Sequence, residues 1–276
     1  MILTVDIGNT NMEFGVFKDQ DLIANFRLNT NRDITSDEIG LMVCQFFAIK
    51  GVDRTGIKDV VVSSVVPQVM YSASAAFKKY FGKLPLIAGN DLKIKIPNLY
   101  DNPGEVGADR LVNSYASLLL YGAPLVIVDF GTATTFDAVS KDGKYLGGAI
   151  YPGIKLSISA LVDKASKLPL IELKIPEKAI GTNTAESMQA GTIYGYAGAI
   201  RMITEMISRE IVSREIVSGE IVSRETEIST ENVKIIATGG LSQMIQDATP
   251  GLFHEVNKSL TLQGLNRIYR DYINGV

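Results

Sequence analysis

MILTVDIGNTNMEFGVF, residues 1–17, opens with four strand-favouring residues, Ile2, Leu3, Thr4 and Val5, that run straight into Asp6. Gly8, Asn9, Thr10 and Asn11 then turn the chain before a second apolar run, Phe14-Gly15-Val16-Phe17. The pattern predicts a β-hairpin with a carboxylate at its opening. Gly8 lets the backbone approach a bulky anion, the hydroxyl and amides around it can donate to phosphate oxygens, and Asp6 can hold a hydrated divalent cation. An ordinary hairpin whose Asp and Asn merely satisfy turn amides would carry the same residues.

A second copy favours the phosphate reading. LVIVDFGTATTFD, residues 125–137, is again an apolar strand ending in an aspartate, Asp129, followed by Gly131, Thr132, Thr134 and Thr135 and another strand. Each hairpin leads through helical patterns to a buried strand, DVVVSSV at 59–65 and VKIIATGG at 233–240. The duplication predicts an α/β chain of two related domains, residues 1–115 and 116–276, facing each other across a cleft, with Asp6 and Asp129 brought together.

Length and composition agree. A chain of 276 residues gives each of two domains enough length for its own core. An apolar content of 46% with 21% charged residues belongs to a soluble globular protein. The net charge of −3, without a basic run or aromatic-basic interleaving, argues against nucleic acid as a partner. Cys44 is the single cysteine, so no internal disulfide can form. No basic leader precedes the first strand and no apolar run reaches the length of a membrane span, so a cytoplasmic protein with no membrane partner is expected.

Along the chain, LIANFRL at 22–28 reads as a third strand, and Thr35-Ser36-Asp37-Glu38 as the start of a helix that runs to Gly51. Pro67 opens another helix. Ser63 and Ser64, at the end of a buried strand, either face the cleft or cap that helix. NLYDNPGEVGADRLVNSYAS, residues 98–117, begins as a loop and becomes a helix with Asp109 and Arg110 in its first turn, just behind Gly107 and Ala108. A carboxylate there can serve as a helix cap or dipole partner. It can equally accept a proton from a substrate hydroxyl, with Arg110 gripping an anion and Tyr100 lying over the same substrate.

Lys141-Asp142-Gly143-Lys144 marks a tight hairpin, and GTNTAESMQAGTIYGYAGAI at 181–200 a helix with Thr182, Asn183 or Thr184 as its cap. Gly191, Gly195 and Gly198 in that helix permit close helix packing. Residues 208–227 repeat every five residues. That period turns the pattern by roughly 140° per repeat on a helix and swaps faces on a strand. The segment is therefore read as an exposed, charge-laced insertion extending the preceding helix. His254, the only histidine, has no Cys, His or Asp neighbour at ligand spacing.

The set DIGNTN at 6–11, NPGEVGADR at 102–110, DFGTATTFD at 129–137, GGAIYPG at 147–153 and ATGGL at 237–241, in this order, resembles type III pantothenate kinase. The resemblance implies the actin, hexokinase and Hsp70-like ATPase superfamily: two tandem ribonuclease H-like domains with mixed sheets flanked by helices. It implies ATP-dependent phosphorylation of pantothenate, the first step of coenzyme A synthesis, with Mg²⁺ and a monovalent cation, K⁺ or NH₄⁺, in a homodimer.

Carried onto this sequence, the resemblance assigns ATP to Asp6, Ile7, Gly8, Asn9, Thr10, Asn11, Met12 and Glu13, to Thr132, and to Gly239 and Gly240 near the nucleoside. Asp109 becomes the proton acceptor, and Tyr100, Gly107, Ala108, Arg110 and Thr184 hold pantothenate. Asp6 is the candidate Mg²⁺ carboxylate. Asp129 reads from its own surroundings as a second Mg²⁺-facing carboxylate, whereas the resemblance gives it the monovalent cation. Another small-molecule kinase of the superfamily, or a non-enzymatic nucleotide-binding regulator, remains as the alternative.

Overall fold

The predicted opening hairpin is present in the computed structural model, which describes residues 1–217 and 230–275. β1 (Ile2–Ile7) and β2 (Asn11–Lys18) pair antiparallel, with Asp6 opposite Glu13. β3 (Asp21–Asn29) adds to β2, β4 (Asp59–Ser64) runs parallel to β1, and the short β5 (Leu86–Ile87) closes a five-stranded sheet of order β3-β2-β1-β4-β5. Alternation along β1 sends Leu3, Val5 and Ile7 to one face. There they meet Ile39, Val43 and Phe47 of α1 (Ser36–Lys50) and Val69, Ala73 and Phe77 of α2 (Pro67–Phe81) in a dry core.

The helix starts follow from local chemistry. Thr35 and Glu38 form a reciprocal capping box at α1, in which the Glu38 N–H donates to Thr35 Oγ1 at 3.2 Å and the Thr35 N–H to Glu38 Oε2 at 2.8 Å. Pro67 sits in the first turn of α2, where its missing N–H costs nothing.

The chain divides into two units, one of Met1–Ile96 and Asn102–Ala116 together with the chain from Leu260 onward, the other of Pro97–Asp101 and Ser117–Ser259. The expected boundary after residue 115 differs from this on two segments. Pro97–Asp101 is grouped with the second unit, and α7 (Leu260–Ile273) packs on β1, β2 and β4 of the first. Its amphipathic pattern buries Leu260, Leu262, Leu265, Ile268 and Tyr269. Such a pattern shows that one face is covered without showing which sheet covers it. α3 (Ala108–Tyr121) meets α7 where Val112 and Ala116 close on Gly264. The Tyr115 hydroxyl donates to Asp271 at 2.6 Å, and Thr261 to Asn113 at 2.8 Å.

The second unit repeats the strand order with β6 (Leu125–Phe130), β7 (Ala133–Val139), β8 (Tyr145–Pro152), β9 (Lys234–Gly239) and β10 (Glu255–Val256), arranged β8-β7-β6-β9-β10. Its core joins Val126, Val128 and Phe136 to residues of α4 (Ile154–Lys164), α5 (Thr184–Val217) and α6 (Ser242–Ala248), among them Ile154, Ile193, Ile200 and Ile245. Two mixed five-stranded sheets of one order, flanked by helices, make this the α/β actin-like ATPase fold.

α5 continues unbroken through the first two repeats, and residues 218–227 of the repeat lie outside the described residues. The expectation of full exposure fails at Ile211, which is 2% exposed and belongs to the core cluster. The charged residues behave as expected: Arg209 pairs with Glu205 and Arg214 with Glu210, each at 2.6 Å and four residues apart. No helix among the described residues is long and apolar enough to cross a membrane.

Candidate functional site

In the first unit, Asp6 is half-buried near the end of β1, and Asn9 and Thr10 of the turn that follows are exposed. The Gly8 N–H donates back to the Asn11 carbonyl at 3.0 Å, which closes the turn. Thr30, just past β3, braces it from the side: its hydroxyl donates to the Gly8 carbonyl at 2.6 Å and its N–H to the Thr10 carbonyl at 2.8 Å. Sequence reading did not single out Thr30, because nothing in LIANFRLNT indicates that the end of the third strand returns to the first turn. Ile7 and Met12 have their side chains in the core, so only their backbone is offered to a ligand, and Glu13 is engaged by Arg27.

Asp6 and the GADR segment share one end of the β1/β4 pair. The Val65 N–H, directly after β4, donates to the Ile7 carbonyl at 3.1 Å. Gly107 in turn lies so close that a side-chain carbon there would stand 3.5 Å from Val65 Cγ1. Ser64 accepts the Val66 N–H at 3.1 Å in the turn that leads into α2 without capping that helix, whose N-cap Val66 has no side-chain cap bond, while Ser63, paired in register with Asp6, is completely buried.

Asp109 sits in the first turn of α3 with its carboxylate folded over the helix start, accepting the Arg110 N–H at 2.8 Å. A side chain at Gly107 would meet Asp109 Oδ1 at 2.5 Å, so the glycine is what lets the carboxylate take this position. Burial pushes the Asp109 carboxyl above the ordinary carboxylate range; the Arg110 amide and guanidinium oppose that rise without overcoming it. Arg110 itself is 9% exposed. A helix-start carboxylate made more basic by desolvation is suited to accept a proton, which a simple cap is not.

In the second unit, Asp129 occupies on β6 the place of Asp6 on β1, with buried Thr238 of β9 beside it in register as Ser63 is beside Asp6. Asp129 Oδ1 lies against Gly239, where an added side chain would meet it at 2.6 Å. Thr132 is exposed, and its carbonyl accepts the Gly153 N–H at 3.2 Å. A side chain at Gly153 would stand 2.2 Å from that carbonyl, so the PG step after β8 braces the second turn much as Thr30 braces the first.

Tyr100 is held on the edge of β8, in a segment bridged in parallel to Tyr145. Thr184 is exposed and does not cap α5. The cap is Asn183, which accepts the Glu186 N–H at 3.0 Å, and Glu186 reaches back to the N–H and hydroxyl of Thr182. Gly240 is exposed beyond β9. His254 serves the sheet: its Nδ1 accepts the Ile235 N–H at 2.9 Å. Among the described residues no group of three or more His, Cys, Asp or Glu is placed to enclose a metal ion.

Comparison with solved structures supports the fold. A conserved Campylobacter jejuni protein assigned to a Baf family of transcriptional activators superposes with a TM-score of 0.58 at 19% identity, covering 99% of this chain and 100% of that one. A Sinorhizobium meliloti protein described as a 2-dehydro-3-deoxygalactonokinase gives 0.52 at 9% identity, over 98% and 96% of the two chains. At these identities the likeness speaks for the fold alone. The sequence model of type III pantothenate kinase matches residues 2–206, which takes in the Asp6 turn, the GADR helix start, the Asp129 turn and Thr184. This chain belongs to the type III pantothenate kinase family.

Proposed function

We propose that the chain transfers the γ-phosphoryl group of ATP to the primary hydroxyl of pantothenate. The observation that carries this reading is the carboxylate of Asp109, made more basic by burial and lying at the same strand end as the Asp6 turn. Asp109 takes the hydroxyl proton as the alcohol oxygen forms its bond to the γ-phosphorus, and the bond to the bridging oxygen breaks to release ADP. Arg110, Gly107, Ala108, Tyr100 and Thr184 hold pantothenate. The Asp6 to Glu13 stretch holds the phosphates through its turn amides, with Thr132 on the phosphate tail and Gly239 and Gly240 near the nucleoside. Phosphoryl transfer asks mainly for positioning and charge neutralisation, so the absence of a lysine in either turn is no obstacle.

Mg²⁺ fits Asp6, because it favours one or two carboxylates completed by substrate phosphates and water over an all-protein cage. When bound it would neutralise phosphate charge. The Asp129 carboxylate would hold K⁺ as an oxygen ligand or accept hydrogen bonds from NH₄⁺. A homodimer is proposed as the working form. Its support is one exposed face of α5, on which Gly191, Gly195, Gly198, Met202 and Met206 follow at helical spacing and no atom lies within 4 Å of where a side chain on any of the three glycines would begin.

The test is ADP release measured with and without pantothenate and K⁺. Release that requires pantothenate upholds the reading. Release driven instead by a sugar or another small alcohol assigns the chain to a different kinase activity, and nucleotide binding without turnover makes it a regulator.

A further inference from the structure

Two fully buried side chains of the second unit, Asp137 and Tyr145, form a bond that neither ATP nor pantothenate is expected to touch. The Tyr145 hydroxyl donates to Asp137 Oδ1 at 2.8 Å, and Thr135 donates to the other carboxylate oxygen at 3.3 Å. A carboxylate in a sheet core is costly to desolvate, and an apolar pair would fill the same space more cheaply. What the pair achieves is directional: it fixes the phenol, and with it the first rung of β8.

That rung carries Tyr100. The Tyr145 N–H donates to the Pro97 carbonyl at 2.8 Å, and the Tyr145 carbonyl accepts the Leu99 N–H at 2.9 Å. The Tyr100 N–H is tied to Asn98 Oδ1 at 3.0 Å. Two residues along β8, Gly147 has φ +114° and leaves room for the Tyr100 ring, which an added side-chain carbon would meet at 3.4 and 3.5 Å. The ring is thus seated on a glycine whose strand is anchored by the buried pair.

The geometry points to Asp137 and Tyr145 as positioning residues for Tyr100, setting the affinity for the acceptor substrate without contacting it. The inference rests on the assignment of Tyr100 to pantothenate, and its test separates the two. Steady-state kinetics are compared for the full chain, Tyr145→Phe, Tyr100→Ala and the double variant. Tyr145→Phe raises the pantothenate KM roughly three- to tenfold, the scale of one intramolecular hydrogen bond, and leaves kcat and the ATP KM within about twofold. In the Tyr100→Ala background the same change adds nothing further.

If Tyr145→Phe leaves the pantothenate KM unchanged, moves both KM values together, or adds in full to Tyr100→Ala, the inference is overturned. An unchanged pantothenate KM in Tyr100→Ala alone overturns the assignment of Tyr100 and the inference with it. Should Tyr145→Phe fail to fold, Gly147→Ala decides: it keeps the buried pair but strains the φ +114° backbone on which the ring is seated, and a pantothenate KM equal to that of the unaltered chain refutes the proposal.

Discussion

Replacing Asp109 by asparagine removes the proposed proton acceptor while keeping the shape of the side chain. The amide oxygen can still accept the Arg110 N–H, and Gly107 leaves room for it as it does for the carboxylate. Loss of a general base lowers turnover by about 10²–10⁴-fold, or roughly 3–5 kcal/mol of transition-state stabilisation. Stability should move the other way. Because burial raises the Asp109 pKa, the folded state holds its proton to higher pH than the unfolded chain, and stability falls as pH rises from 3.8 through the raised folded value. Above that window the ionised carboxylate is a net cost, which asparagine removes. Asp109→Asn is therefore expected to match or exceed the unaltered protein in thermal midpoint at neutral pH, with the gap closing in acid. Pantothenate-dependent ADP release and scanning calorimetry at several pH values measure the two effects. A variant that keeps more than about a tenth of the activity shows that another group takes the proton. A clear fall in midpoint at neutral pH shows that the carboxylate serves chiefly as a cap, whose loss typically costs about 1 kcal/mol.

Thr30→Val removes the hydroxyl bond to the Gly8 carbonyl but keeps the backbone bond to Thr10, so the ATP KM should rise by roughly two- to tenfold while the pantothenate KM holds. Equal shifts in both would point to general loosening of the unit. The Glu186 carboxyl is pulled down to about 2, first by the Thr182 N–H and then by its hydroxyl. Its contribution to the start of α5 is present above 4.5 and lost as pH falls toward 2, so the Thr182 amide should lose hydrogen-exchange protection only in that acid window. Gly195→Leu places a large side chain on the open face of α5. Sedimentation should then report a monomer where the unaltered chain forms the proposed dimer, and an unchanged assembly would exclude this face from the contact.

Much of the fold could be read from the two Asp-x-Gly turns, because each is the middle of a hairpin that is followed, through helical patterns, by another buried strand. The capping residues Thr35 and Glu38 and the Pro67 start declared their helices for the same local reasons. What was not legible depends on contacts between distant residues. No spacing in the sequence shows that Thr30 and Gly153 brace the two turns, or that Ile211 of a polar-looking repeat reaches the core while the charged Arg209 and Glu210 beside it stay exposed. Thr184 illustrates the ambiguity of three adjacent capping residues: the backbone geometry of the turn selected Asn183. At Asp109 the sequence supplied the residue and its place in the helix, but its altered basicity arises from burial, which only the packed chain has.

α7 has a bearing on synthesis. The first unit is split in the chain: its strands and α3 precede Ser117–Ser259 of the second unit, and α7 follows it, so that stretch is translated between them. At ordinary elongation rates that interval is on the order of ten seconds. Through it, the face of β1, β2 and β4 that α7 covers lacks its cover in the nascent chain, and the first unit cannot complete its core until the second unit has been made.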